Sequence, residues 1–134
     1  MTVILCLDNQ NGMLFNKRRQ SRDKALIADI FTMFSHQKIY INEFSRPLFA
    51  EYSDRIIVEE LPLASAGSND VCFVENMDLL PYQDNLSEII LYRWNRDYPS
   101  DVRFTMDLSQ YTLQSKIDFV GNSHEKLTRE VYRK

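Results

Sequence analysis

Positive charge is concentrated in one short segment of this sequence. Five of its sixteen Lys and Arg residues fall within residues 17–24, although the chain has a formal net charge of −3. These five residues are Lys17, Arg18, Arg19, Arg22 and Lys24. Ammonium and guanidinium groups bind carboxylates and phosphates, and a guanidinium can do so through two parallel hydrogen bonds. The segment is therefore a candidate site for an anionic small molecule.

The elements on either side of this segment determine where it lies. The preceding run TVILCL, residues 2–7, is continuously apolar, which is typical of a strand buried on both faces of a sheet. From Ser21 the apolar residues recur at helical spacing, which predicts a helix over residues 21–35 with Ser21 as its N-cap and Asp23 in its first turn. Ligands of α/β proteins bind outside the carboxyl ends of parallel strands, so the basic segment is expected at the mouth of such a crevice.

Other polar and aromatic residues are expected at the same end of the sheet. Tyr92 and Trp94 end the fifth predicted strand, where an aromatic ring can stack on a planar heterocycle or on an Arg side chain. The predicted ligand-binding residues are Asn16, Arg18, Arg19, Gln20, Arg22, Ser45, Arg46, Tyr92 and Trp94. Two alternatives stay open: the basic segment could be a solvated loop balanced by nearby acids, and the two aromatic residues could belong to the core and its rim.

Five short apolar runs predict the parallel part of a sheet. They are TVILCL, KIYIN (38–42), RIIVEE (55–60), VCFVEN (71–76) and EIILYRW (88–94). The connections between them carry only short helical segments, which are predicted within residues 45–51, 61–70 and 77–85. Ser45 is the predicted N-cap of the first of these segments.

After residue 101 the apolar residues alternate with polar ones. A period of two is typical of antiparallel strands with one buried face, and Gly121, Asn122 and Ser123 supply a turn between the last two runs. The sequence therefore predicts one α/β domain over residues 1–134. Its mixed sheet of seven or eight strands should have a parallel core, an antiparallel C-terminal hairpin, and few and short helices.

Composition and length exclude several classes of protein. The 134 residues, 44% apolar and 26% charged, are ordinary for one globular domain. The first apolar run is too short for a membrane span and lacks the basic start of a signal peptide, so we expect no membrane association and a cytoplasmic location. Cys6 and Cys72 lack C-x-x-C spacing, and His36 and His124 lie far apart, so no metal site is predicted. We expect His36 to cap the first helix, and His124 to be a turn or surface residue in the terminal hairpin.

Several segments together are typical of one enzyme family. They are the first strand with its DNQNGM loop, EIILYRW followed by NRDYPSDVRF, the long terminal hairpin, and the last turn and strand GNSHEKLTREVYRK. In these segments the chain resembles dihydrofolate reductase and the related reductases of riboflavin biosynthesis, in a shortened form. FNKRRQSRD, ILYRWNRDYP and GNSHEK are also similar to a group of short bacterial proteins, some of which carry the name ribonuclease Z. That name implies a zinc nuclease with an H-x-H-x-D-H motif, which this sequence lacks.

The resemblance implies a dihydrofolate reductase-like domain and roles for particular residues. In the family a carboxylate near the start of the first helix pairs with the pterin ring, so Asp23 becomes the candidate catalytic residue. Residues 8–23 become the counterpart of a mobile active-site loop. The family's Gly-rich turn for the NADPH pyrophosphate corresponds to Glu75, Asn76 and Met77 in this chain. The resemblance therefore implies a degenerate dinucleotide site, and NADPH binding in the family's manner is doubtful.

Three functions are consistent with these observations. The first is binding of an anionic or heterocyclic small molecule, in a ligand-binding or regulatory protein. The second is an NADPH-dependent reductase of a pterin- or flavin-like substrate with an altered nucleotide turn. The third is binding of single-stranded nucleic acid through NKRRQSR and RWNR, which interleave basic and aromatic residues, although a pI near 5.4 argues against it. The sequence does not set the oligomeric state.

Overall fold

Ten strands form two β-sheets in the computed structural model, which describes residues 1–134. The strands are β1 (Thr2–Leu7), β2 (Gly12–Phe15), β3 (Arg18–Arg19), β4 (Ile39–Ile41), β5 (Ile56–Val58), β6 (Val71–Phe73), β7 (Glu88–Arg93), β8 (Val102–Arg103), β9 (Thr112–Phe119) and β10 (Leu127–Arg133). Seven strands form the main sheet in the order β5-β4-β6-β1-β7-β10-β9, and the other three form a small sheet in the order β3-β2-β8. The predicted α/β fold class with a mixed sheet is confirmed.

The main sheet is parallel except at one edge. β1 pairs in parallel with β6 and β7, and β4 pairs in parallel with β5 and β6. β10 is antiparallel to both β7 and β9, so it joins the terminal hairpin to the parallel core. β1 is the middle strand of the seven, as its continuous apolar run predicted.

The two faces of the main sheet carry separate apolar clusters. Val3, Leu5 and Leu7 of β1 belong to one cluster, and Ile4 of the same strand belongs to the other. All four side chains are fully buried. Because successive residues of a strand point to opposite faces, one short run of β1 supplies both clusters. Protein therefore covers both faces of the sheet around β1.

Helical segments are few and short. The α-helices are α1 (Lys24–Met33) and α2 (Pro62–Ser65), and 3₁₀ segments cover Glu43–Arg55 and Leu80–Asn85. α1 begins later than predicted, and its N-cap is Asp23 rather than Ser21. The Asp23 carboxylate accepts a hydrogen bond from the Ala25 N–H at 2.8 Å. Asp23 therefore caps the helix in the role that was predicted for the Ser21 hydroxyl.

Two other predicted caps are wrong. The 3₁₀ segment Glu43–Arg55 is capped by Asn42, whose side-chain oxygen accepts from the Ser45 N–H at 3.3 Å. At the end of α1, Arg55 donates to the carbonyls of Phe34 and Gln37 at 3.0 and 3.2 Å. A long side chain from a distant segment thus caps the helix, and His36, the predicted cap, is exposed.

Residues 8–20 were predicted as a loop, but they contain a β-hairpin. β2 and β3 pair antiparallel across Asn16 and Lys17, which have φ of 54° and 60°. Positive φ at both positions is what a two-residue type I′ turn requires. Met13 and Leu14 of β2 are buried, and β8 pairs with the other side of β2. Arg18 and Arg19 of the basic segment are therefore part of the small sheet, which follows the carboxyl end of β1.

Candidate functional site

Arg19 is the basic residue of the segment that turns into the protein, whereas Lys17, Arg18, Arg22 and Lys24 are exposed. Its Nε lies 2.9 Å from Oε1 of Glu75, and its Nη2 lies 3.0 Å from Oε2. The ion pair therefore has two parallel hydrogen bonds, which is the strongest geometry for a guanidinium and a carboxylate.

Two residues after β4 complete this arrangement. Ser45 donates its hydroxyl to Oε2 of Glu75 at 2.7 Å, and Arg19 donates to the Phe44 carbonyl at 2.9 Å. The guanidinium also lies over the Phe44 ring, 4.8 Å from its centroid. Arg19, Glu75, Ser45 and Phe44, here called the Arg19 cluster, connect the small sheet to the carboxyl ends of β4 and β6.

The Arg19 cluster lies at the turn after β6, where Glu75 follows the strand. The Glu75 side chain is only 9% exposed and that of Arg19 is 21% exposed. A carboxylate that is already paired and buried offers neither space nor N–H donors to a pyrophosphate. Two predicted ligand-binding residues, Arg19 and Ser45, are brought together, and both bind Glu75.

Asp23 connects α1 to the turn of the terminal hairpin, and its side chain is fully buried. Its Oδ1 accepts from the N–H groups of Ala25 and Asn122, each at 2.8 Å. Its Oδ2 accepts from the Ser123 N–H at 2.8 Å and lies 2.9 Å from Nδ1 of His124. An ionised carboxylate has about four acceptor sites, so these partners leave none directed at a bound pterin.

These hydrogen bonds keep Asp23 ionised. Burial by itself raises the pKa of a carboxyl group, but the hydrogen bonds from Asn122, His124, Ser123 and Ala25 outweigh burial and hold the pKa of Asp23 well below its ordinary value. Since the folded-state pKa is the lower one, the stability that Asp23 contributes is fully present above the unfolded-state pKa of about 4. It is lost as the pH falls from there toward the folded-state pKa.

We therefore expect acid to destabilise the wild-type protein more steeply than the variant Asp23→Asn below about pH 4. The asparagine does not titrate, so unfolding of the variant takes up one proton fewer. Urea denaturation at a series of pH values measures the two slopes. Asp54→Asn, at an exposed carboxylate, is the matched control and should keep the wild-type slope. Equal slopes for wild type and Asp23→Asn would contradict the assignment.

His124 lies in the turn of the terminal hairpin, as predicted, but it is buried and not a surface residue. The residue is 6% exposed, and its ring stacks on Trp94 with a centroid distance of 4.9 Å. Its Nε2 lies 3.1 Å from Ser21 Oγ and 3.1 Å from the Tyr98 hydroxyl. Sequence reasoning missed both His124 and Ser21, because they lie 103 positions apart and the turn GNSH has no local feature that points to a distant partner.

Asn16 and Gln20 stabilise the hairpin of the basic segment. The Asn16 N–H donates to the Asp101 carboxylate at 3.0 Å. The Gln20 side chain donates to Asp8 at 2.9 Å, and the other carboxylate oxygen of Asp8 accepts from the Gly12 N–H at 2.6 Å. Both predicted ligand-binding residues therefore bind other parts of the protein.

The remaining predicted cations lie apart from one another on the surface. Arg46 pairs with Glu43 at 3.3 Å, and both side chains are more than half exposed. Arg18 is exposed on β3. Arg22 lines a pocket at the start of α1. The nine predicted binding residues therefore do not form one site, and Arg22 is the one that borders a pocket together with Asp23.

This pocket, here called the α1 pocket, lies between α1 and the 3₁₀ segment Glu43–Arg55 and has a volume of about 270 Å³. Its lining includes the charged residues Arg22, Lys24 and Glu51 and the apolar or aromatic residues Ile27, Leu48 and Tyr52. Lys24 Nζ lies 3.8 Å from Glu51 Oε1, and both side chains are largely exposed, so this ion pair is weak. The pocket thus combines an apolar part with a charged part, in which Arg22 and Lys24 stand beside the carboxylates of Asp23 and Glu51.

Tyr92 and Trp94 are core residues, which was the alternative interpretation of the sequence. Tyr92 is fully buried, and its hydroxyl donates to Asp29 Oδ2 at 2.6 Å. Arg129 donates to the same oxygen at 2.6 Å. Burial raises the pKa of Tyr92, and the hydrogen bond to Asp29 raises it further, so the phenol stays protonated. Trp94 is 5% exposed and packs on His124.

We expect Tyr92→Phe to lower the free energy of unfolding by about 1 to 2 kcal/mol, because Asp29 loses a donor in a partly buried site. Urea denaturation with tryptophan fluorescence measures the change. Tyr82→Phe is the matched control, since the Tyr82 hydroxyl makes no hydrogen bond within the protein, and its effect should stay below about 0.5 kcal/mol. A Tyr92→Phe protein as stable as Tyr82→Phe would show that the buried hydroxyl contributes nothing.

Several general properties complete the description. No group of three or more His, Cys, Asp or Glu side chains is placed to hold a metal ion, and Cys6 and Cys72 are free thiols. None of the helices has the length and apolar character needed to cross a bilayer. No protein-family model matches the chain, and no curated protein matches its sequence.

Proposed function

We propose that the protein binds a small molecule with an anionic group and a planar or apolar part in the α1 pocket of a dihydrofolate reductase-like fold. One observation carries this proposal: the pocket places Arg22 beside Ile27, Leu48 and Tyr52 at the N-terminal end of α1. The positive charge of Arg22 favours an anionic group, and the apolar side chains offer a surface to the rest of a ligand.

The architecture supports the fold part of this proposal. β1 is central, it has parallel neighbours on both sides, and an antiparallel hairpin lies at one edge of the sheet. The segment after β1 lies over the carboxyl ends of the strands as a small sheet. The first strand, the segment after it and the terminal hairpin are among the segments on which the resemblance to the reductases rested.

The side chains of the α1 pocket restrict the chemistry of the ligand. Tyr52 stacks on Phe31 with a centroid distance of 4.3 Å, so its ring is held in place as one wall. Arg22 is exposed and its guanidinium makes no ion pair within the protein, so it is available to a carboxylate or a phosphate. A volume of about 270 Å³ is at the small end for ligand pockets, which favours a single ring system over a dinucleotide.

The two other functions have less support from the contacts. The Arg19 cluster places a paired carboxylate at the turn where an NADPH-dependent reductase would need N–H donors, so the reductase function would require NADPH to displace Glu75 from Arg19. Binding of single-stranded nucleic acid would use aromatic rings as stacking surfaces, but Trp94 of the RWNR segment is buried against His124.

A thermal-shift screen tests the proposal. The compounds are pterin-6-carboxylate, flavin mononucleotide, adenosine monophosphate and NADPH, each at millimolar concentration. At about ten times its Kd a ligand stabilises the folded state by about 1.4 kcal/mol, which raises Tm by about 5 °C in a domain of this size. We expect such a rise with at least one of the three single-ring-system anions and none with NADPH.

Two variants locate the binding site. Arg22→Ala is expected to abolish the rise in Tm, and Arg18→Ala is the matched control, because Arg18 is an equally exposed cation outside the α1 pocket. No shift with any anion, or equal loss of binding in both variants, would contradict the proposal. A shift with NADPH alone would favour the reductase function instead.

A further inference from the structure

Three side chains near the start of α1 have the hydrogen-bonded arrangement of a catalytic triad, with a hydroxyl, an imidazole and a carboxylate in that order. Ser21 Oγ lies 3.1 Å from Nε2 of His124, and Nδ1 of His124 lies 2.9 Å from Oδ2 of Asp23. Both distances are within hydrogen-bond range, and they involve opposite nitrogens of one imidazole. The three residues come from two segments that are about a hundred positions apart. Ser21, His124 and Asp23 are here called the Ser21 triad.

The surroundings of Asp23 fix the direction of the hydrogen bonds in the triad. Three backbone N–H groups, those of Ala25, Asn122 and Ser123, donate to this carboxylate and keep it ionised. An ionised carboxylate accepts only, so Nδ1 of His124 must donate to it. In the neutral imidazole the other nitrogen, Nε2, then carries the lone pair and faces the Ser21 hydroxyl.

Two further contacts hold the imidazole in this position. The His124 ring stacks on Trp94 at an interplanar angle of 26°, and the His124 side chain is 3% exposed. Ser21 is only partly buried, so its hydroxyl lies between the buried base and the protein surface. Asp23, Arg22 and Ser123 line the α1 pocket, and Ser21 and His124 are their chain neighbours outside its lining.

We propose that the Ser21 triad is an acyl-transfer centre that hydrolyses small carboxylic esters, with Ser21 as nucleophile, His124 as general base and Asp23 as positioning residue. This activity does not depend on the ligand proposed above, because it needs only the hydroxyl and the imidazole. The Asp23 carboxylate by itself already joins α1 to the hairpin turn through backbone N–H groups, so that connection does not need the imidazole.

The reaction proceeds in two balanced halves. In the first, Ser21 Oγ forms a bond to the ester carbonyl carbon while its proton moves to Nε2 of His124. The bond from that carbon to the alcohol oxygen breaks, and the alcohol leaves with the proton from Nε2. In the second half, water loses a proton to Nε2 and attacks the acyl group on Ser21. The carboxylic acid is released, and Ser21 regains its proton.

The Tyr98 hydroxyl also lies 3.1 Å from Nε2 of His124, at the same nitrogen as the Ser21 hydroxyl. A donor to the same lone pair competes with Ser21 for the base. Tyr98→Phe removes this competitor without removing the triad, so the variant should react with electrophiles at least as fast as the wild type.

Covalent labelling of the intact protein tests the proposal. Incubation with diisopropyl fluorophosphate, followed by mass spectrometry and peptide mapping, should give one adduct, located at Ser21. Ser21→Ala should give none, and Ser53→Ala, at an exposed serine outside the triad, should label like the wild type. Loss of a general base slows such a step by about a hundredfold or more, so His124→Gln should label at least that much more slowly.

Two measurements separate a catalytic triad from a purely structural one. Circular dichroism establishes that the His124→Gln protein is folded, and Tyr98→Phe provides a second variant in which the base is retained. The ¹⁵N spectrum of the wild-type imidazole should show a protonated Nδ1 and an unprotonated Nε2, and Asp23→Asn should lose this preference. The proposal is overturned by an unlabelled Ser21 in the wild type, by unchanged labelling of a folded His124→Gln protein, or by a protonated Nε2 in the neutral wild-type ring.

Discussion

Gly121→Ala should lower the free energy of unfolding by about 3 kcal/mol, which is at the upper end of the usual cost of overpacking. A Cβ atom at this position would lie 2.6 Å from Oδ2 of Asp23 and 2.7 Å from the carbonyl oxygen of His124. Neither atom can move away cheaply. The carboxylate is held by backbone N–H groups on both of its oxygens, and the carbonyl accepts from the Gly121 N–H at 3.0 Å.

Urea denaturation of Gly121→Ala and Gly67→Ala at neutral pH measures this effect against a matched control. A Cβ atom at Gly67 would meet only the Asp70 carboxylate, at 3.3 Å in an exposed turn, so this variant should stay within about 0.5 kcal/mol of the wild type. If Gly121→Ala were as stable as Gly67→Ala, the turn would not be packed against Asp23 as described.

Arg19→Leu should lower the free energy of unfolding by about 3 kcal/mol, because it leaves the carboxylate of Glu75 buried without its cation. Glu75→Leu should have a similar effect, since it leaves Arg19 facing the Phe44 carbonyl without its counter-ion. The double variant Arg19→Leu/Glu75→Leu should be more stable than the sum of the two losses predicts, because it leaves neither charge unpaired.

The coupling free energy of this double-mutant cycle is the decisive measurement, and we expect about 1 to 3 kcal/mol. The cycle of Arg46→Leu and Glu43→Leu is the matched control, since that pair is also Arg with Glu but has exposed side chains. Its coupling should not exceed about 0.5 kcal/mol. Additive effects at Arg19 and Glu75 would mean that the two hydrogen bonds seen between them do not stabilise the fold.

Much of the fold was accessible from the sequence. The run TVILCL is continuously apolar because β1 is covered on both faces, and that is why its central position could be predicted. The alternation after residue 101 predicted the antiparallel hairpin of β9 and β10, but Leu113 and Ile117, which were expected on its buried face, are exposed. The hairpin of β2 and β3 was missed because its strands are two to four residues long, and Asn16-Lys17 is not a strong turn sequence.

The candidate site was far less accessible, because its contacts join distant segments. Arg19 and Glu75 are 56 positions apart, so sequence reasoning could note a carboxylate after β6 without seeing that a cation neutralises it. Asp23 was singled out only through the family resemblance, and its actual partners, Asn122 to His124, follow it by about a hundred positions. Local patterns predict strands and helices well, but they do not show which side chains meet across a fold.

The connection between Asp23 and the turn at Asn122 also bears on how the chain folds during its synthesis. A ribosome adds this turn about a hundred residues after it adds Asp23, at a rate of about 5 to 20 residues per second. For several seconds the nascent chain therefore contains Asp23 at the start of α1 without its hydrogen-bond donors. The N–H groups of Asn122 and Ser123 and the imidazole of His124 have not yet been synthesised. After Arg93 has been added, β7 is an open strand edge until β10 becomes available to pair with it. Folding of this protein is thus completed after synthesis of the hairpin, and an arrested nascent chain is the form most exposed to chaperones and to aggregation.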